Sequence, residues 1–177
     1  MDAESRIDPP LQGDEATTLR AFLDYHRDTL RWKVDGLTQE QLAQTLAPSA
    51  LTLGGLVKHL ALVESNWFEV VLAGGTLLPP FDTVDWDADP NWELNTAADD
   101  TPEQLLALFD DAVTRADLSI DEAVARAGLD AESVRKTRTG DRHFSLRWIL
   151  LHMLEEYARH NGHADLLRES IDGATGE

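Results

Sequence analysis

The stretch Leu146-Arg-Trp-Ile-Leu-Leu-His-Met-Leu-Glu-Glu-Tyr-Ala-Arg-His-Asn-Gly-His-Ala-Asp-Leu-Leu167 decides the fold. Leu146, Ile149, Leu150, Met153, Tyr157 and Leu167 recur at helical spacing, which predicts a helix from about Ser145 to Ser170, ended by Gly173. A second set of residues shares that helix. At about 100° per residue, Glu156 and His160 lie about 40° apart, with His152 and His163 within about 40° of Glu156 on either side. The strip of three imidazoles and one carboxylate overlaps the apolar arc, since Ile149 and Leu167 bracket the angle of His160. Glu156 and His160 are therefore expected to face the interior, where a carboxylate costs several kcal/mol unless a cation or donor meets it.

Outward from this segment the same period recurs. Leu19, Phe22, Leu23, His26, Leu30 and Val34 predict a first helix from about Asp14 to Asp35, stopped by Gly36. Thr38-Gln-Glu-Gln has capping-box form and predicts a short turn through Ala43, before Pro48 and Ser49. Leu53, Leu56, Val57, Leu60, Val63 and Trp67 mark a second long helix, closed at Gly74-Gly75. From Thr76 to Asp100 the prolines and aspartates break the pattern, giving a long connection. Thr101-Pro-Glu-Gln then caps a third long helix carrying Leu105, Leu108, Phe109, Ala112, Val113 and Ala116. From Ser119 to Phe144 the signal weakens to a short turn at 123–127 and a polar loop or small extended pairing around Thr137-Arg-Thr-Gly-Asp-Arg142. With no βαβ alternation, the expectation is an all-α four-helix bundle with a long crossover between helices 2 and 3. A single domain over 14–173 follows a flexible N-terminus over 1–13.

Composition narrows the function classes. The 177 residues carry 33 acidic against 15 basic side chains, a formal net charge of −18, which argues against binding nucleic-acid phosphates. There is no cysteine, hence no disulfide, no thiolate metal site and no cysteine nucleophile. No apolar run approaches the length of a membrane helix, and Met1 to Pro10 lack the apolar core of a signal segment, so a cytoplasmic protein without membrane contact is expected.

A metal in such a chain must use nitrogen and oxygen ligands. His59 on the second helix borders the arc of Leu56, Leu60 and Val63 and can cross the bundle to complete a His59, Glu156, His160 set, the three-ligand arrangement of a metal with open positions. Such donors suit zinc, nickel or iron. The alternative is that Glu156 pairs with Arg159 or Arg168 at the rim. His26 reads as a hydrogen-bonded core histidine and His143 as a loop residue. In Asp85-Trp-Asp-Ala-Asp-Pro-Asn-Trp-Glu93, Pro90 and Thr96 occupy the glycine and glutamate positions of a calcium loop, which excludes an EF-hand. Trp86 and Trp92 read as a lid, a dimer contact or anchors of the crossover. No HExxH or phosphate-loop spacing occurs, and no residue stands out as a general base or cofactor ligand.

Two segments, Leu56-Val-Lys-His-Leu-Ala-Leu-Val-Glu64 and Glu155-Glu-Tyr-Ala-Arg-His-Asn-Gly-His-Ala-Asp-Leu-Leu-Arg-Glu169, resemble the DinB-like superfamily, in the branch near the mycothiol-dependent maleylpyruvate isomerases. The resemblance spans the first helix to about Gly173. It implies a DinB-type four-helix bundle with a divalent metal held by a second-helix histidine, matching His59, and by two last-helix residues four apart, matching Glu156 and His160. Glutamate at the first of the last pair is the mycothiol-isomerase form, where the commoner pattern has histidine. His152 or His163 then serves as a fourth ligand or supports the ligands from behind, and Asn161 or Asp165 orients an imidazole or accepts from a neighbouring helix. The resemblance implies an enzyme that activates a small thiol such as mycothiol toward a small electrophilic substrate, for S-transfer or isomerisation, with zinc first and nickel or iron as alternatives. A metal-dependent hydrolase and a non-catalytic stress-response or binding module with a structural metal are the competing readings. A homodimer is also implied by the resemblance.

Overall fold

A computed structural model describes residues 6–175. The expected flexible N-terminus thus falls partly outside the described residues, as do Gly176 and Glu177. Arg6, at the start of the described chain, donates to Thr29 Oγ1 at 2.9 Å and lies over the rings of Tyr25 and Trp32.

Helix α1 (Glu15–Val34) is capped by Asp14, whose carboxylate accepts from the Thr17 backbone N–H. The short α2 (Gln39–Leu42) has the reciprocal capping box of Thr38 and Gln41. α3 (Leu53–Glu64) continues into a π-helical segment (Ser65–Leu72), then the crossover, with a five-residue helix α4 (Trp92–Thr96) inside it. α5 (Pro102–Ala127) starts at the Thr101 capping box, and α6 (Leu146–Asp172) runs from Ser145 to a left-handed Gly173. Between them, β1 (Glu132–Lys136) and β2 (His143–Ser145) form an antiparallel hairpin with an irregular register. Among the described residues the fold is the all-α bundle of four long helices with a crossover from α3 to α5, and the hairpin is its only sheet. α1 packs chiefly on α6 and α3 on α5. Among the described residues no helix is long and apolar enough to cross a membrane.

Three expectations are corrected. α5 does not weaken at Ser119 but runs unbroken to Ala127, because Ile120 and Ala123 extend the buried arc of Phe109, Ala112, Val113 and Ala116. The end of α3 is under-wound: the buried positions Glu64, Phe68 and Leu72 recur every four residues, wider than the 3.6-residue α period, and π turns keep them on one face. On α1, Phe22 is exposed, and Arg27 takes a place on the buried face between Leu23 and Leu30. Trp86 and Trp92 meet edge to face, and Trp92 also packs on Phe81, so both tryptophans anchor the crossover to the core. Gly74, at φ +77, is held close to the hairpin: a Cβ there would stand 2.6 Å from Val134 Cγ1.

The buried face of α1 meets the centre of the molecule at Glu64, which is fully buried. Arg27 Nε and Nη2 donate to its two oxygens at 2.8 Å each, and Tyr157 O–H donates to Oε1 at 2.6 Å. The remaining Arg27 nitrogen, Nη1, donates to Asp24 at 2.9 Å and Asp117 at 3.0 Å, so one cluster joins α1, α3, α5 and α6. Burial and the adjacent Glu64 push the Tyr157 phenol far up, keeping it a donor. Glu64→Ala, which strands the Arg27 guanidinium, is expected to destabilise the fold by about 3–5 kcal/mol. Tyr157→Phe should cost about 1.5–3 kcal/mol, the range for a hydrogen bond to a charged group. Urea unfolding followed by circular dichroism measures both.

Candidate metal centre

The residues that position the centre come from two long helices. On α3, His59 lies at the edge of the buried arc, beside Leu56 and Leu60, and so faces the α3–α6 cleft rather than the core. On α6, Tyr157 takes the core-facing position and leaves Glu156, one residue back, on the cleft side, with His160 one turn further on.

The structure brings His59, Glu156 and His160 together, with one potential ligand atom from each within 4.8 Å of the others. His160 Nε2 stands 3.3 Å from Glu156 Oε2, and the His59 and His160 rings are 5.0 Å apart. Two ligands at about 2.0–2.1 Å from one tetrahedral ion stand about 3.3–3.4 Å apart, so this pair already has the spacing of a shared ion. Among the described residues, five buried side-chain nitrogen and oxygen atoms lack a hydrogen-bond partner, and three of them, His160 Nδ1, His163 Nδ1 and Glu93 Oε2, gather here. Two imidazoles and a carboxylate in this arrangement fit a divalent ion. The rim alternative for Glu156 does not occur: Arg159 pairs with Glu155, and Arg168 with Asp172 and the backbone carbonyls of Lys33 and Asp35.

The other expected residues flank the three. His152 Nε2 is 3.6 Å from Glu156 Oε1, and its ring stacks on Trp148 and meets Trp67 edge-on. Phe144 joins Trp67 and Trp148, so an aromatic wall leads from the hairpin to Glu156. His163 packs against His160 with ring centres 5.5 Å apart. Asn161 and Asp165 belong to the other side of α6: Asn161 Nδ2 donates to the His26 carbonyl at 3.0 Å, and Asp165 accepts from the buried Lys33 ammonium at 2.7 Å. His26 is half-buried beside Asn161 and has no part in the centre. His143 opens β2 with Nδ1 2.6 Å from the Ser133 carbonyl oxygen.

One residue at the centre has no sequence signal. Glu93, from α4 in the crossover, is only 4% exposed and sets Oε1 3.0 Å from His59 Nδ1. It is one of many acids in an irregular acidic segment, and neither spacing nor capping distinguishes it. Leu62, Val63, Asn66, Leu77 and Trp86 line a cleft of about 320 Å³; Leu62 and Val63 follow His59 on α3, and Asn66 stands in the π-helical segment that continues it.

Burial, followed by the neighbouring His59, holds the His160 imidazole below its ordinary value of 6.5 against the pull of Glu156. Burial likewise lowers His26 from 6.5. Both are therefore favoured as neutral rings in the fold, the form in which His160 can be a ligand. A ring neutral in the fold binds its proton more readily when unfolded. The urea midpoint of metal-free protein is thus expected to fall as pH drops through 6.5, until the folded-state values are passed. Removing both rings, as His26→Gln with His160→Gln, should flatten that part of the profile.

A family model described as mycothiol-S-transferase matches residues 18–173. No curated protein matches the chain.

Proposed function

The chain belongs to the mycothiol-S-transferase family, and on that premise we propose that it is a divalent-metal enzyme that activates a mycothiol-type thiol for transfer to a small electrophile. The observation that carries the reading is the convergence of His59, Glu156 and His160 within 4.8 Å, three protein ligands of the kind that leave an ion open to substrate. Four protein ligands would mark a structural site. Zinc is the leading ion and nickel or iron the alternatives, since imidazole and carboxylate discriminate poorly among them.

An ion held there would lower the pKa of a thiol placed against it, supplying thiolate at neutral pH in a chain that has no cysteine of its own. The chain's residues do the rest. His59 and His160 offer imidazole nitrogens, and Glu156 offers the carboxylate of the set. His152, half-buried with Nε2 3.6 Å from Glu156 Oε1, stands at the mouth of the centre, where it can take the thiol proton toward solvent. The cleft of Leu62, Val63, Leu77 and Trp86, with the Asn66 amide as its polar group, suits a small electrophile with an apolar body. Trp67 and Trp148 pack together with His152 and give that flank of the centre an aromatic lining. A cytoplasmic location and a homodimeric assembly belong to the same proposal.

Elemental analysis of untagged protein, with zinc, nickel and iron measured together, tests the reading. Near-stoichiometric metal is expected in wild type and none in His160→Ala or Glu156→Ala, with mycothiol transfer to a chromogenic electrophile falling to background in both. Wild type that holds no metal after incubation with each ion refutes the proposal.

A further inference from the structure

Glu93 is buried to 4% exposure in a crossover whose other carboxylates are mostly exposed. α4 itself does not require it there, since Glu93 caps nothing and pairs with no cation of the crossover. A buried carboxylate without compensation is costly, yet Oε2 has no partner and Oε1 meets a single group, His59 Nδ1, at 3.0 Å. Burial of this acid therefore serves His59. Imidazole offers one nitrogen to each neighbour, and an acceptor held at Nδ1 keeps the proton there, leaving the Nε2 lone pair for the side where Glu156 and His160 lie.

The placement of Glu93 is itself specified from α3. Lys58, the residue before His59, is 3% exposed, and its ammonium donates to Thr96 Oγ1 at 2.9 Å and Asp100 Oδ2 at 2.5 Å. The same ammonium stands 4.4 Å from the centre of the Trp92 ring. Lys58 thus grips both ends of α4, and His59 receives the side chain that α4 carries inward.

We propose that Glu93 is a positioning residue that fixes His59 in the Nδ1–H tautomer and thereby couples docking of the crossover to ligand affinity at the α3–α6 centre. The affinity half of this inference rests on the metal reading above; the tautomer half does not. Occupation of the centre should in turn hold the crossover in place, because coupling between two events is reciprocal.

Long-range nitrogen–proton NMR of metal-free protein, in alkaline buffer where imidazole is neutral, reads the tautomer directly. Wild type should show His59 as Nδ1–H, and Glu93→Ala should shift it toward Nε2–H. The isosteric Glu93→Gln, whose amide oxygen can still accept, should keep Nδ1–H and guards against loss of the fold. Zinc affinity, measured by competition with a chromogenic chelator, should fall about 10–100-fold, Glu93→Ala at the upper end and Glu93→Gln at the lower. A wild-type His59 found as Nε2–H, or a tautomer and zinc affinity unchanged in Glu93→Ala, overturns the inference. A Glu93-dependent tautomer in a wild type that binds no zinc supports the positioning role and overturns the metal reading alone.

Discussion

A carboxylate taken fully out of water costs several kcal/mol unless its charge and lone pairs are met with good geometry, and Glu64 is tolerated at the middle of this bundle only because two other helices reach it. Arg27 of α1 meets both oxygens in a bidentate pair, Tyr157 of α6 donates to one of them, and Asp117 of α5 takes a free nitrogen of Arg27. The cluster has little freedom. A shift of α1, α3 or α6 along its axis would break a buried charged hydrogen bond, and a shift of α5 a half-buried one, whereas an apolar core can repack around such a shift. The long helices are thereby fixed in height and rotation relative to one another.

The candidate centre inherits that registration. Glu64 follows His59 by five residues on α3, about 7.5 Å of helix rise, and Tyr157 is next to Glu156 on α6. The hydrogen bond between Tyr157 and Glu64 therefore sets how far His59 lies from Glu156 and His160. Inward-facing and cleft-facing residues alternate on the same turns, so the interaction that builds the core also aligns the candidate ligands.

The crossover completes the arrangement. Its tryptophans pack inward on Phe81 and the core, Lys58 holds α4 at Thr96 and Trp92 and meets Asp100 just beyond it, and Glu93 arrives behind His59. A segment whose composition reads as a loop thus supplies both a wall of the cleft, through Trp86, and a partner for the His59 ring, and one buried lysine helps to hold it.

The helices, their caps and their stops are local properties, and they stand where periodicity and capping chemistry place them: Asp14, Thr38, Thr101 and Ser145 at the starts, Gly36 and Gly173 at the ends. The strip of His152, Glu156, His160 and His163 follows equally from helical spacing, because positions on one rigid helix are fixed by residue number alone. Spacing cannot tell which polar residue is buried. Glu156 and Glu64 both lie beside an apolar arc, and it is Glu64 that the core takes in, since only there do an arginine and a tyrosine converge from other helices. The under-wound end of α3, the unbroken run of α5 and the approach of Glu93 to His59 likewise depend on which surface packs against which. The sequence by itself determined the elements and the faces they present; the tertiary structure decided how those faces meet, because contacts between residues far apart in the chain are set by packing and charge compensation across helices, which no local period encodes.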